Sequence, residues 1–179
     1  MSPENRNYVV LVDPQGQAIG VEEKLKAHQK GLLHKAFSIF VWNSKNEMLL
    51  QQRNLNKYHF GGLWSNTCCS HPSPDEDLAQ AAHRRLQEEM GFYTPLTQAF
   101  SFIYKAADPK SKLIEHELDT VFVGIYDGEI RPDLQEIEAY RWVTLDALTQ
   151  EMAENPEQFT EWFKICLAMM EEKQLLPQI

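Results

Sequence analysis

The sequence predicts one domain of mixed α/β class, a sandwich of helices packed on a β-sheet. Several apolar runs have strand character, and a few helical patterns are interspersed among them. Strands interspersed with helices are typical of α/β and α+β sandwiches. No repeat, low-complexity tract or Gly/Ser-rich linker divides the 179 residues. We therefore predict a single domain over residues 1–179.

The first strands lie in the N-terminal third of the chain. The segment "YVVLVD" (residues 8–13) reads as a strand that ends in the turn "PQGQ". A longer strand, "HKAFSIFVWN" (residues 34–43), is followed by the turn "SKNE" and by "MLLQQR". Two strand patterns joined by a short polar segment predict a β-hairpin.

The best-marked helix follows the segment "GGLWSNTCCSHP". Ser73 and Glu76 have the spacing of a capping box, so we expect the helix to begin near Ser73 and to stop before Gly91. Arg85 and Glu89 lie beside the apolar stripe, and we expect them to face the sheet or a cleft. The stripe recurs every four residues: Leu78, Ala82, Leu86 and Met90.

The C-terminal half continues the alternation. Strand patterns occupy residues 99–104, 117–126 and 137–143. A short helix is expected after Thr144. A last helix, carrying Trp162, is expected to start at Asn155 and Pro156.

Composition limits the kinds of partner. The chain is 43% hydrophobic and 24% charged, as in ordinary globular proteins, and its net charge is -9. This charge argues against nucleic acid or an anionic membrane as the main partner, although a local basic cluster could bind a small anion. The N-terminus has no signal-peptide pattern, and the three cysteines suggest a reducing compartment. We expect a cytoplasmic protein.

Three polar groups suggest a metal site. Residues two apart on an extended chain share a face, so each of the last two pairs could point in one direction. Three histidines and two glutamates would form a nitrogen-and-oxygen site for a divalent metal, whereas a cysteine-based zinc site lacks a second Cys pair. The groups are His28 with His34, Cys69 with His71, and Glu115 with Glu117.

Simpler interpretations stay open at this point. "EHE" could be a charged edge strand, and "CC" could be two small buried residues. His59, His83 and His116 are expected to be surface histidines without a role. Four basic residues could be solvated charges, or they could converge to hold a phosphate or diphosphate: Lys24, Arg53, Lys57 and Arg85.

Residues 70–91 resemble a Nudix box, G-x5-E-x7-R-E-U-x-E-E-x-G, where U is aliphatic. Ser70 stands in place of the first glycine, and Arg85 stands in place of a glutamate. An arginine among metal-binding carboxylates should weaken metal clustering and favour binding a diphosphate over cutting it. The matching positions are Glu76, Arg84, Leu86, Glu88, Glu89 and Gly91.

With this altered box, nearly the whole chain resembles the type I isopentenyl-diphosphate delta-isomerases. The resemblance rests on "EEKLKAH", "LHKAFSIFVWN", "LLQQRNLNKYHFGGLWSNTCCSHP", "RRLQEEMGF", "FIYKAADP" and "EHELDTVF". It implies a Nudix-like α/β/α sandwich with a mixed sheet, and interconversion of isopentenyl and dimethylallyl diphosphate in isoprenoid precursor biosynthesis. The alternatives are a Nudix hydrolase of a nucleoside diphosphate derivative and a non-catalytic metal- or diphosphate-binding module.

The resemblance also implies roles for individual residues. Cys69 is the reactive cysteine, and Glu117 with Tyr104 forms the second catalytic group; the order in which they transfer protons stays open. Glu89 holds Mg²⁺ with the substrate diphosphate. A second divalent metal, Mn²⁺, Zn²⁺ or Mg²⁺, is held by His28, His34, His71, Glu115 and Glu117. The substrate is bound by Lys24, Arg53, Lys57, Arg85 and Trp162.

Overall fold

A computed structural model describes residues 6–57 and 59–176. In this part of the chain nine strands belong to one sheet, and four α-helices accompany them. The strands are β1 (Tyr8–Val12), β2 (Ala18–Glu23), β3 (His34–Trp42), β4 (Glu47–Arg53), β5 (Trp64–Ser65), β6 (Cys68–Ser70), β7 (Thr97–Ala107), β8 (Ile114–Ile125) and β9 (Ile137–Thr144). The helices are α1 (Lys24–Lys30), α2 (Leu78–Met90), α3 (Leu145–Glu154) and α4 (Glu161–Glu172).

Strand β3 organises the sheet because it pairs with four other strands. It runs antiparallel to β1, β4 and β6 and parallel to β8. β8 then pairs antiparallel with β7, and β4 pairs antiparallel with β9. The parallel pair among antiparallel neighbours makes the sheet mixed, as expected.

Both faces of β3 are covered, and this explains its nearly continuous apolar sequence. Phe37 and Ile39 pack in one core cluster with α2, which contributes Leu86. Phe40 lies on the opposite face, in a second cluster with Phe163 of α4. The predicted α/β sandwich is therefore confirmed, with the sheet between α2 on one side and α3 and α4 on the other.

The start of α2 was predicted wrongly. The helix begins at Leu78, and its N-cap is Asp77, whose carboxylate accepts hydrogen bonds from the N–H groups of Ala79 and Gln80. The Ser73–Glu76 pair does form, but it closes a turn before the helix: the Ser73 N–H donates to the Glu76 carboxylate over 3.0 Å. The predicted end is correct, because the C-cap Gly91 adopts φ 74°.

The last predicted helix is interrupted. A short 3-10 helix spans Pro156–Gln158, and α4 starts only at Glu161. Phe159 between them is extended and forms a β-bridge to Trp64. This long-range pairing, which local patterns do not reveal, ends the first helical turn.

Two further features complete the fold. β2 and α1 were not predicted, although α1 carries His28. None of the helices in the described ranges combines the length and apolar character that crossing a bilayer requires. That the whole of residues 1–179 forms one domain stays a prediction, since residues 1–5, 58 and 177–179 lie outside the described residues.

The cap assignment predicts unequal effects of two aspartates. Asp77→Ala should lower the free energy of unfolding by about 1 kcal/mol, because two N–H groups of α2 lose their acceptor. Asp75→Ala removes the same charge from an exposed site two residues earlier and should change stability by less than about 0.5 kcal/mol. Urea unfolding of both variants measures the difference, and equal losses would contradict the cap.

Candidate active site

The Glu117 carboxylate lies at the centre of a group of polar side chains on one face of the sheet. In strand register, Glu117 of β8 is paired with His34 of β3 and with Tyr104 of β7. The Tyr104 hydroxyl donates to Glu117 Oε2 over 2.6 Å, and His71 Nε2 lies 2.8 Å from Glu117 Oε1. Sheet pairing therefore brings together residues that lie far apart in the sequence.

Five side chains of this group have ligand atoms within 4.8 Å of one another. Two imidazoles are oriented by backbone carbonyls: His28 Nδ1 lies 2.6 Å from Lys24 O, and His34 Nδ1 lies 2.8 Å from Leu32 O. An N–H at Nδ1 leaves the Nε2 lone pair available to a metal. The five residues are His28, His34, His71, Glu115 and Glu117.

These residues fit a divalent cation on chemical grounds. His28 Nε2 and Glu115 Oε2 are buried and lie 2.9 Å from each other, and within the described parts of the chain neither has a hydrogen-bond partner beyond this contact. Buried polar atoms are normally satisfied, so such a pair suits a ligand that accepts lone pairs from both. A set of three imidazoles and two carboxylates is compatible with several divalent metals.

The charge states also suit metal binding. Burial lowers the pKa of His71 well below its usual value, and the nearby Lys24 lowers it further, so His71 stays neutral. Burial raises the pKa of Glu115, but hydrogen bonds from His28 and His59 outweigh it and lower the pKa well below the usual value. The site therefore offers a neutral imidazole beside an ionised carboxylate, which are the forms that bind metals.

His59 was expected to be a surface histidine, and this expectation was wrong. It is 7% exposed, lines the same cavity, and its Nε2 lies 2.5 Å from Glu115 Oε1. Its position depends on a long-range contact with Glu115 of β8, which residue spacing does not show. His83 and His116 are not in the cavity lining; each instead lies against a backbone carbonyl elsewhere.

The two adjacent cysteines point to opposite faces of β6. Cys68 is fully buried in the cluster with α2, whereas Cys69 lines the cavity together with Glu117 and Tyr104. Burial raises the pKa of the Cys69 thiol to about 12, although the Arg53 guanidinium, with Nη1 3.9 Å from the sulfur, opposes the shift. Cys69 is therefore a protonated thiol at neutral pH.

The four basic residues line the same cavity. Arg85 forms ion pairs with Glu89 and, over 2.8 Å, with Glu88. Burial lowers the pKa of Lys24, and the neighbouring cations lower it further despite the opposing charge of Glu115. Such mutual repulsion marks a region that favours an anion. The lining of the cavity includes these basic residues and one of their carboxylate partners: Lys24, Arg53, Lys57, Arg85 and Glu89.

Glu136 contacts two of these basic residues, and no motif or spacing in the sequence predicted this contact. Its carboxylate pairs with Lys57 and lies 3.5 Å from Arg85 Nη2. It precedes β9 in a loop, and Asn54 N–H donates to its backbone carbonyl over 3.1 Å. Its negative charge offsets part of the positive charge of the four basic residues.

Trp162 forms part of the cavity wall. Its indole N–H donates to Ser65 Oγ over 2.9 Å, and its ring meets Phe60 edge to face at 5.1 Å between centroids. Trp64 is absent from the cavity lining, and the Arg141 guanidinium lies 4.5 Å above its ring. Trp64 therefore has a packing role, as expected.

Comparison with known proteins agrees with this geometry. The family model described as NUDIX domain matches residues 32–163. An isopentenyl-diphosphate Delta-isomerase from Burkholderia multivorans is 51% identical over 155 residues, covering 87% of this chain and 88% of that protein. The chain belongs to the isopentenyl-diphosphate Delta-isomerase family. A second member of the family, from Serratia proteamaculans, is 50% identical and covers 87% of this chain and 86% of its own. The resemblance drawn from the motifs is confirmed.

Solved structures confirm the Nudix fold that the isopentenyl-diphosphate Delta-isomerase family implies. DR0079 from Deinococcus radiodurans superposes with a TM-score of 0.67 at 15% identity, covering 82% of this chain and 89% of that chain. A MutT protein from Methanosarcina mazei Go1 superposes with a TM-score of 0.65 at 19% identity. The match covers 79% of this chain and 95% of that chain. At these identities the likeness concerns the fold alone.

The altered Nudix box has a structural explanation in this isopentenyl-diphosphate Delta-isomerase family member. Arg84 holds the Glu76 carboxylate with two hydrogen bonds of 2.7 and 2.8 Å, which ties α2 to the turn before it. Arg85 forms ion pairs with two further carboxylates of the box, Glu88 and Glu89. The helix therefore presents less free negative charge than the usual box would.

The protonation state of Cys69 predicts slow alkylation. In metal-free protein carrying Cys68→Ala, iodoacetamide should modify Cys69 at pH 8 roughly 1,000-fold more slowly than an ordinary thiol, because thiolate is the reactive form. The rate should rise about tenfold per pH unit, because the pKa lies near 12. Peptide mass spectrometry measures the rate, with Cys69→Ala as control. Alkylation at neutral pH as fast as that of a free thiol would contradict the assignment.

Proposed function

We propose that the protein interconverts isopentenyl diphosphate and dimethylallyl diphosphate, a step of isoprenoid precursor biosynthesis. One observation carries the proposal: a single cavity is lined by a thiol, a Tyr–Glu pair and four basic side chains. This arrangement suits a small substrate with an apolar reacting part and a diphosphate. Membership of the isopentenyl-diphosphate Delta-isomerase family supports the same substrate.

The reaction adds a proton to one carbon and removes a proton from another, without redox change or hydrolysis. Protonating an unactivated alkene requires a well-placed acid, and the carbocation that follows requires shielding from water. We assign the two proton-transferring roles to Cys69 and to Glu117 with Tyr104. Both groups border the same cavity.

The protonation states suggest which group starts as acid. The Cys69 pKa of about 12 keeps a proton on the sulfur. Burial and the neighbouring Glu115 raise the Glu117 pKa, but hydrogen bonds from His34 and His71 outweigh them and hold it below its usual value. At rest Cys69 therefore carries a proton and Glu117 is ionised, with Tyr104 hydrogen-bonded to its carboxylate.

Binding energy at the charged end would position the reacting carbons. Lys24, Arg53, Lys57 and Arg85 are assigned to the diphosphate, and Trp162 offers a π-face near the hydrocarbon end, where it would stabilise positive charge. The Arg53 guanidinium lies 5.3 Å from the Trp162 ring centroid, so the residues assigned to the diphosphate and to the hydrocarbon are neighbours.

Two divalent cations complete the proposal. His28, His34, His71, Glu115 and Glu117 would hold Mn²⁺, Zn²⁺ or Mg²⁺, and Glu89 would hold Mg²⁺ together with the substrate diphosphate. When bound, these cations supply positive charge that fixes the carboxylates and neutralises the diphosphate. We place the activity in the cytoplasm, with neither nucleic acid nor a membrane as partner, in line with the net charge of -9.

The adjacent cysteines give a matched test. With Mg²⁺ and Mn²⁺ present, purified wild-type protein should convert isopentenyl diphosphate into dimethylallyl diphosphate. Cys69→Ala should lower kcat at least about 100-fold, because it removes a proton-transferring group. Cys68→Ala should stay within about threefold of the wild type, since its side chain faces the α2 core.

Product analysis by mass spectrometry decides the outcome. Full activity of Cys69→Ala would remove the cysteine from the mechanism. Release of phosphate or a monophosphate instead of the isomer would favour the Nudix hydrolase, and metal binding without turnover would favour a binding module.

A further inference from the structure

The Glu115 carboxylate is shared between two histidines. Its Oε2 lies 2.9 Å from His28 Nε2, and its Oε1 lies 2.5 Å from His59 Nε2. The Glu115 side chain is only 3% exposed. A carboxylate so deeply buried is costly unless both oxygens have partners, so each of these contacts bears on its orientation.

The two oxygens have different surroundings. Oε1 faces His59, whereas Oε2 faces Nε2 of His28, one of the five residues whose ligand atoms converge. Oε2 is therefore the oxygen available to a cation at the proposed metal centre. His59 is not among the five residues whose ligand atoms converge within 4.8 Å, and it contacts the other oxygen of Glu115.

We propose that His59 is a positioning residue of the metal centre: its Nε2–H holds Glu115 Oε1 and thereby turns Oε2 toward the metal. The inference rests on the metal centre proposed above. Ligating carboxylates generally need such outer hydrogen bonds, and losing one typically weakens metal binding about 10- to 100-fold.

The chain holds His59 in place through its backbone. Arg53 Nη2 donates to the His59 carbonyl over 3.3 Å, and the next N–H, of Phe60, donates to Asp108 Oδ2 over 3.2 Å. Phe60 adopts φ 49°, in the left-handed region that non-glycine residues seldom occupy, so the loop is held in an unfavourable conformation. Because Arg53 also lines the diphosphate end, His59 links that end of the cavity to the metal centre.

Three variants test this role by metal affinity, measured with Mn²⁺ alone by titration calorimetry on chelator-treated protein. His59→Ala should weaken Mn²⁺ binding about 10- to 100-fold. His59→Gln places an amide N–H near the position of Nε2, so its affinity should return to within about fivefold of the wild type. The control His83→Ala removes an imidazole that is absent from the cavity lining and should bind Mn²⁺ like the wild type.

The outcomes separate the explanations. Unchanged affinity in His59→Ala would overturn the proposal. Equal losses in His59→Ala and His59→Gln would also overturn it, because a hydrogen bond from residue 59 would then not be the cause. Melting temperatures of the metal-free variants identify any general loss of folding, and His59→Gln provides a second polar residue at the site if His59→Ala unfolds. Since no substrate is used, failure of the isomerase assay would leave these results interpretable.

Discussion

The burial of the Glu117 carboxylate is the constraint around which the site is arranged. A buried carboxylate must be hydrogen-bonded or paired, and the sheet supplies its partners by register: His34 from the parallel strand β3 and Tyr104 from the antiparallel strand β7. A shift of one residue in either pairing would turn the partner to the opposite face. The mixed sheet is therefore what makes this combination of residues available on one surface.

One cavity is lined both by the histidines and glutamates and by four basic side chains. Among the basic residues, Lys57 is paired with Glu136, and Arg85 is paired with Glu89. These ion pairs moderate the repulsion among the basic side chains. The basic residues and their partner Glu89 line the same cavity as Cys69, Tyr104 and Glu117.

Much of the fold, and most of the side chains that line the cavity, were predicted from the sequence. Alternation along β6 and β8 placed Cys69 apart from Cys68 and put Glu115 on the same face as Glu117, because side-chain direction in a strand has a fixed period. The beginning of α2 was misplaced because two capping signals, at Ser73 and at Asp77, compete within one turn.

The residues that were missed share a physical reason. His59 and Glu136 lie in loops, and their contacts depend on how those loops cross the sheet. Sequence periodicity does not reveal the path of a loop. A loop histidine that contacts a buried carboxylate therefore cannot be distinguished in the sequence from a histidine exposed to solvent. β2 and α1 were likewise not predicted: β2 is an exposed edge strand, and α1 has only seven residues.

Isotope incorporation tests the central claim, that this cavity transfers protons to and from carbon. Wild-type protein would be incubated with isopentenyl diphosphate and Mg²⁺ in D₂O, and the products would be examined by mass spectrometry and NMR. The account predicts dimethylallyl diphosphate with deuterium in the newly formed methyl group, because the acidic hydrogens of Cys69 and Tyr104 exchange with solvent. An unlabelled isomer, or cleavage of the diphosphate with no isomer formed, would contradict it.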